Sequence, residues 1–387
     1  MISQAVLEKN RGSSMIRQMF EQGQVLRNKY GADNVYDFSL GNPDLPVSAQ
    51  LTAALIASAQ EGRHGYMNNA GYPELRAMIA GREQQRSGRP VTEQGVVMTV
   101  GAAGALNIIL KSLCNPGDEV MILKPYFSEY LRYCENCAAT AVPVDCDPDN
   151  FLPLTSAMEQ ALSPKTKAII INNPNNPAGV VYDAAFYEQL AALLSRLKQP
   201  VYVISDEPYA QIVYDRTTVP SLLRYFPNGI VAYSWSKSLS IPGERIGYVA
   251  VSEDCADYED LCQALVFCNR SLGFVNAPAI WQQTLLKLGD YQPDLTIYQQ
   301  RRDLLYSLLT GLGWDCYKPE GAFYLFPRSL EADDQAFAQA AAEEHILLVP
   351  GRGFGMPGYV RLAYCVDEAV IHRAEKAFHR LTERYRS

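Results

Sequence analysis

Residues 166–207 read TKAIIINNPNNPAGVVYDAAFYEQLAALLSRLKQPVYVISDE. A β-branched run (166–172) leads through a loop rich in Asn and Pro into a helical stretch, and a second β-branched run (201–207) follows. Strand, helix, strand is the unit from which a sheet covered by helices on both faces is built. Both runs are apolar throughout instead of alternating, as expected when both faces of a parallel strand are buried. Asp183 stands where the helix between them needs an N-cap. Working outward, GVVMTV (95–100), DEVMIL (118–123), TAVPVD (140–145), GIVAYS (229–234) and RIGYVAVS (245–252) read as further strands, and AGALNIILKSLC (103–114) as another helix. After about Ala277 the pattern changes to helices IWQQTLLKL and YQQRRDLLYSLLTGL, then short strands WDCYKP, AFYLFP, ILLVP and YVRLAY, and a closing helix from Asp367. That is a second, α+β unit, with a long helix expected as the joint. No Gly/Ser linker, low-complexity tract or internal repeat separates the two.

The chain has 387 residues, 34 Lys plus Arg against 42 Asp plus Glu, and a net charge of −8. An acidic chain without a long basic run is a poor nucleic-acid or anionic-membrane binder, so any phosphate must be held locally. No apolar run is long enough to span a bilayer, and the start, MISQAVLEKNRGSSMIRQMFEQG, lacks the unbroken hydrophobic stretch of a signal peptide. A cytoplasmic protein is expected. The nine cysteines, odd in number and spread from Cys114 to Cys365, are expected as thiols. Cys134 and Cys137 form one C-x-x-C pair, but four His and no second pair give a zinc site no support.

Gly353, Gly355 and Gly358 in GRGFGMPG satisfy G-x-G-x-x-G, yet Pro357 and a strand follow where a dinucleotide fingerprint opens a helix. The segment reads as a turn. No P-loop, nucleophile elbow or H-E-x-x-H is present.

The informative segment runs Tyr233-Ser-Trp-Ser-Lys-Ser-Leu-Ser-Ile-Pro-Gly-Glu-Arg-Ile-Gly-Tyr248. Most lysines are solvated surface charges. Lys237 differs: it follows an apolar strand and is flanked by Ser234, Ser236 and Ser238, with Arg245 eight residues on after a Pro-Gly turn. An amine able to form a Schiff base, beside hydroxyls and an arginine fit for a phosphate, suits a pyridoxal phosphate site. Such a site needs a carboxylate for the pyridine nitrogen, and Asp206 ends VYVISDE, although Asp206 or Glu207 could equally cap a helix. It needs a helix opening with little bulk, and Val100-Gly101-Ala102-Ala103-Gly104 offers one. Phe127, after Pro125, is a candidate for the ring face or for ordinary core.

Together these residues resemble the class I/II aminotransferases, fold-type I pyridoxal phosphate enzymes of the aspartate aminotransferase superfamily. The matching motifs are SLGNPD around Gly41, GYMNNAGYPELR around Tyr66, TVGAAGAL around Gly101, NNPNNPAG around Asn176, SDEPY around Asp206, SWSKSLSIPGERIGY around Lys237 and VRLAYC around Arg361. The resemblance implies a three-layer α/β/α large domain (46–280) with a mostly parallel sheet, and a smaller α+β domain from 1–45 and 281–387. It implies pyridoxal 5′-phosphate as cofactor, Lys237 as Schiff-base lysine and proton carrier, Asp206 on the pyridine nitrogen, and Tyr209 with Asn176 on the ring's phenolic oxygen. The phosphate falls to the backbone at Gly101, Ala102 and Ala103, to Ser234, Ser236 and Arg245, and to Tyr66 across a homodimer interface. Phe127 would stack on the ring, and Arg361 would receive the substrate carboxylate with Asn176 and the Gly41 backbone. Ala178 stands where the family usually has Thr.

The implied reaction is ping-pong transfer of an amino group between an L-amino acid and a 2-oxo acid. The same lysine also supports β-elimination, as in a C–S lyase, and decarboxylation. A cofactor-sensing regulator would carry a basic DNA-binding module that this chain lacks. For the substrate side chain, Arg17 or Arg270 is the candidate second cation, and Met15, Ile16, Tyr126 and Phe274 are candidate apolar wall.

Overall fold

The computed structural model describes residues 2–4, 6–7 and 15–386, with the side chains of 15–18 and 20 left out. Twelve strands follow in order among them: β1 (Tyr36–Asp37), β2 (Val96–Thr99), β3 (Glu119–Leu123), β4 (Thr140–Val144), β5 (Thr166–Asn172), β6 (Tyr202–Asp206), β7 (Gly229–Ser234), β8 (Gly247–Val251), β9 (Tyr324–Leu325), β10 (Ile346–Leu347), β11 (Val349–Pro350) and β12 (Val360–Ala363). Strands β2 to β8 form one sheet in the order β2-β8-β7-β6-β5-β3-β4. Only β8 runs antiparallel to its neighbours. The large unit is therefore the mostly parallel α/β sheet expected of the apolar runs.

The continuous apolar strands reflect burial on both faces. Val120, Ile122, Ile170, Ile204 and Val249 pack with Leu106, Ile109 and Leu265 from the helices Gly101–Leu113 and Tyr258–Ser271. The alternate residues Met121, Ile169, Ile171 and Val203 pack with Phe186 and Leu190 of the helix Ala184–Leu194, whose N-cap Asp183 accepts from the Phe186 N–H. Each such side chain contributes roughly 1.5–3 kcal/mol by burial, so a polar residue in these positions needs a reason. Thr99, Asn172, Asp206 and Ser234 close β2, β5, β6 and β7, on the edge where open α/β sheets gather ligands.

A second core joins Phe38, Leu305, Leu309, Phe337, Val360, Leu362 and Phe378. There β9, β11 and β12 pair antiparallel. β1 pairs in parallel with β10, which brings Tyr36 and Asp37 onto the C-terminal part of the chain.

Three expectations change. WDCYKP forms no strand: burial of Trp314 against Phe337 and Phe378, with its indole N–H donating to Thr382 Oγ1, fixes that segment through its side chain instead of a ladder. ILLVP is two strands, because the chain leaves β1 after Leu347 and joins β12 from Val349. The helix Ala279–Leu288 crosses the expected seam at 280/281 and packs against the helix Ala49–Glu61, on the large-unit side. GRGFGMPG forms a short 3-10 turn between β11 and β12. Among the described residues no helix is long and apolar enough to cross a membrane, and no cluster of His, Cys, Asp and Glu could hold a metal.

Candidate active site

A cavity of about 280 Å³ lies at the C-terminal edge of the sheet. It is lined by Gly41, Ala102, Ala103, Phe127, Asn176, Asp206, Tyr209, Ser234, Ser236, Lys237, Arg245 and Arg361, all but two of the expected site residues. Gly101 sits just behind the lining, with φ 76 and an added Cβ 2.7 Å from Arg245 Nη2, so only glycine lets the arginine approach the helix opening. Tyr66 is outside the cavity of its own chain and 97% exposed.

Lys237 follows β7 and donates from Nζ to the Gly41 carbonyl at 2.9 Å. Burial of the amine pushes it down to about 8, with Cys365 opposing and Arg361 and Arg245 adding to the fall. Asp206 ends β6 with its side chain in the cavity wall, not at a helix start, which removes the cap reading. Its Oδ2 accepts from the buried Tyr130 hydroxyl, and its buried Oδ1 has no partner among the described residues. Burial pushes this carboxyl up to about 7, the Tyr130 hydrogen bond opposes that rise, and Glu207 adds to it. Glu207, next along the chain, points away and pairs with Arg86 at 3.0 Å, which compensates its charge inside the protein.

The helix Gly101–Leu113 opens with Ala102 and Ala103 on the cavity, presenting N–H groups unbonded within the helix. The Ser234 and Ser236 hydroxyls lie 2.7 Å apart. Arg245 is steered toward them by hydrogen bonds to the Pro242 carbonyl at 2.8 Å and the Val100 carbonyl at 3.4 Å. A helix opening, two hydroxyls and a guanidinium form a local anion cradle on an acidic chain.

Arg361, on β12, is 2% exposed. Its Nη1 donates to Asn176 Oδ1 at 3.0 Å and its Nη2 to the Ser39 carbonyl at 2.8 Å. Tyr324 and Phe354 place ring centroids 4.5 and 4.8 Å from the guanidinium. Nε has no partner among the described residues, and burial lowers its pKa. Asn176 is oriented in turn by Asn172 Oδ1, which accepts its N–H at 2.7 Å.

Several lining or supporting residues escaped the sequence reading: Asn172, Tyr133 and Tyr324 line the cavity, and Tyr130 stands behind Asp206. Asn172 lay inside the quoted NNPNNPAG motif, and its place at a strand end was the available signal; the tyrosines stand in no motif that marks them. Tyr126 and Phe274 do not line the cavity. Arg270 lies on the surface against Phe267. The side chains of Met15, Ile16 and Arg17 are outside those described.

The cavity fits pyridoxal 5′-phosphate on its own terms. An orphaned carboxylate oxygen suits a pyridinium N–H, the cradle suits a phosphate, and an amine of lowered pKa lines the same cavity. Comparison with known proteins points the same way. The family model described as aminotransferase class I and II matches residues 32–378. The aspartate aminotransferase of Thermotoga maritima is 32% identical, over 91% of each chain. The aspartate/prephenate aminotransferase of Thermus thermophilus is 30% identical over 89% of this chain and 90% of its own. Among solved structures, an amino transferase from Eubacterium rectale superposes over 100% of both chains with TM-score 0.96 and 38% identity.

Proposed function

The chain belongs to the class I and II aminotransferases and is a pyridoxal 5′-phosphate enzyme, and on that premise we propose that it exchanges an amino group between an L-amino acid and a 2-oxo acid in the cavity around Lys237. The observation that supports this site most is the meeting of three groups on one cavity: an amine of lowered pKa, a carboxylate with an unbonded buried oxygen, and a buried guanidinium without a carboxylate partner among the described residues. β-Elimination and decarboxylation are not favoured, since the relatives are aminotransferases.

When bound, the cofactor supplies a carbonyl carbon for amines and a protonated pyridine ring that drains electron density from the substrate Cα. Asp206 would hold the ring-nitrogen proton through Oδ1, with Tyr130 keeping Oδ2 occupied. Ala102 and Ala103 N–H groups, Ser234, Ser236 and Arg245 would hold the phosphate. Phe127 would cover the ring face, and Tyr209 with Asn176 would hydrogen-bond the phenolic oxygen. Arg361, with Asn176 and the Gly41 backbone, would take the α-carboxylate by two parallel hydrogen bonds and so fix which Cα bond stands across the ring plane. Lys237 would hold the cofactor's carbonyl carbon through Nζ and, as a free amine, would take up and give back the substrate Cα proton, which an amine titrating near neutrality does in both directions. With water as co-reactant, the two half-reactions would convert the donor amino acid to its 2-oxo acid and an acceptor 2-oxo acid to its amino acid.

The names of the relatives make aspartate the first donor to test. Profiling aspartate, aromatic and aliphatic donors against 2-oxo acid acceptors is expected to show amino acid formed in step with donor loss. Ammonia released without an acceptor would overturn the assignment in favour of a lyase.

Lys237 also sets a pH dependence. Its amine is protonated below about 8 and a nucleophile above it. Stopped-flow mixing of apoprotein with pyridoxal 5′-phosphate is expected to show a rate of covalent capture that climbs about tenfold per pH unit up to that value and then levels off. A rate unchanged from about pH 6 to 9 removes that titration from the capture step.

We read the enzyme as a homodimer, since an almost wholly exposed tyrosine away from its own cavity fits a Tyr66 that serves the partner's phosphate. The two-unit division is kept with its seam moved to 289–295, between the helices Ala279–Leu288 and Thr296–Gly311. Nine free cysteines, eight of them buried, fit the reducing cytoplasm.

A further inference from the structure

Tyr324 stands where the cofactor side and the carboxylate side of the cavity meet. It comes from β9, is 2% exposed, and lines the cavity wall. Its hydroxyl lies 2.8 Å from that of Tyr209, and the two rings meet edge to face with centroids 5.9 Å apart. The face of the same ring lies 4.5 Å from the Arg361 guanidinium. Gly41, whose carbonyl takes the Lys237 hydrogen bond, packs so closely that an added Cβ would sit 1.9 Å from the Tyr324 hydroxyl. One side chain thus touches the supports of the ring oxygen, the substrate carboxylate and the lysine.

We propose that Tyr324 is a positioning residue that sets both half-sites at once, donating its hydroxyl proton to Tyr209 and carrying the Arg361 guanidinium on its ring. This rests on the roles proposed above for Tyr209 and Arg361. Two hydroxyls share one hydrogen bond, and whichever donates leaves the other's proton free. Donation from Tyr324 leaves Tyr209 a proton to aim at the ring's phenolic oxygen, and a donor that itself accepts a hydrogen bond is polarised into a stronger one. Burial raises both phenols, Tyr324 to about 12, so both keep their protons at working pH. For Arg361 the ring solves a second problem. A carboxylate partner would stabilise the buried cation but compete with the substrate, whereas an aromatic face attracts the cation and leaves its charge for an incoming anion.

Two variants separate the roles. Tyr324→Phe keeps the ring and loses the hydroxyl. The apoprotein is expected to bind pyridoxal 5′-phosphate roughly threefold to tenfold more weakly. The pH midpoint of the bound cofactor's visible absorbance is expected to move in the same direction as in Tyr209→Phe, by less, with the amino-acid KM within about twofold of the parent. Tyr324→Leu loses the ring as well, and its KM is expected to rise roughly fivefold or more above that of Tyr324→Phe. A purely structural role would lower thermal stability without moving the midpoint. If Tyr209→Phe moves affinity and midpoint and Tyr324→Phe moves neither, the hydroxyl role is overturned while the site stands. If Tyr209→Phe moves neither, the site reading falls and this proposal with it. Equal KM values in Tyr324→Leu and Tyr324→Phe overturn the ring role.

Discussion

Lys237→Ala is expected to lower kcat/KM for amino-group exchange by at least about 10⁴-fold, because the proposed mechanism puts both the covalent attachment and the proton transfer on this one side chain. Among the described residues no other amine lines the cavity. Its other cations, Arg245 and Arg361, are guanidiniums, which do not give up a proton at working pH. The Cα proton would be left to water, and the attachment to nothing. Cofactor binding should persist, since Asp206, Ser234, Ser236, Arg245 and the helix opening at Ala102 are untouched. Dialysis equilibrium is therefore expected to find the cofactor retained but its absorbance no longer that of a lysine-linked species. Turnover within about tenfold of the parent would remove Lys237 from the centre of the chemistry.

The same residue shows what was legible in the sequence. Lys237 was found because it follows GIVAYS, and that run was legible because both faces of β7 are buried at every position. Asp206 and Ser234 were singled out by the same logic, as polar residues closing apolar strands, and Asn176 by the motif NNPNNPAG that carries the family resemblance. Tyr130 and Tyr324 were not. Tyr130 lies 76 residues from the Asp206 it supports and Tyr324 115 residues from Tyr209, and a tyrosine in EYLRYC or AFYLFP looks like core until its hydroxyl has a partner. Burying a hydroxyl without a partner is unfavourable by about 1–3 kcal/mol, so each such tyrosine implied a partner that only the tertiary pairing could name. The small unit was less legible for a related reason. Its strands are two to four residues long and owe their limits to partners elsewhere in the chain, as where Leu348 separates pairing with β1 from pairing with β12.

Arg361→Leu is expected to separate function from stability. In the folded chain the guanidinium is buried, held by the Asn176 side chain and the Ser39 carbonyl, faced by two rings, and without a carboxylate partner among the described residues. Burying a cation in this way is unfavourable by several kcal/mol, incompletely offset by neutral partners. In the proposed role, the substrate carboxylate completes the set. Removing one member of a buried, hydrogen-bonded charge pair typically loses 2–5 kcal/mol, so kcat/KM for amino acids should fall roughly 30-fold to 5,000-fold. Cofactor affinity of the apoprotein should stay within about twofold, because the hydrogen bonds of Arg361 go to Asn176 and Ser39 and not to the cradle or Asp206. The thermal midpoint of the substrate-free protein should hold or rise, since leucine relieves a buried charge at the loss of two hydrogen bonds. Steady-state kinetics, cofactor titration and melting curves at one pH read these three quantities independently. Unchanged amino-acid affinity would strip Arg361 of its role, and a large fall in the midpoint would make it a structural cation, held by Asn176 and Ser39 for the sake of the fold.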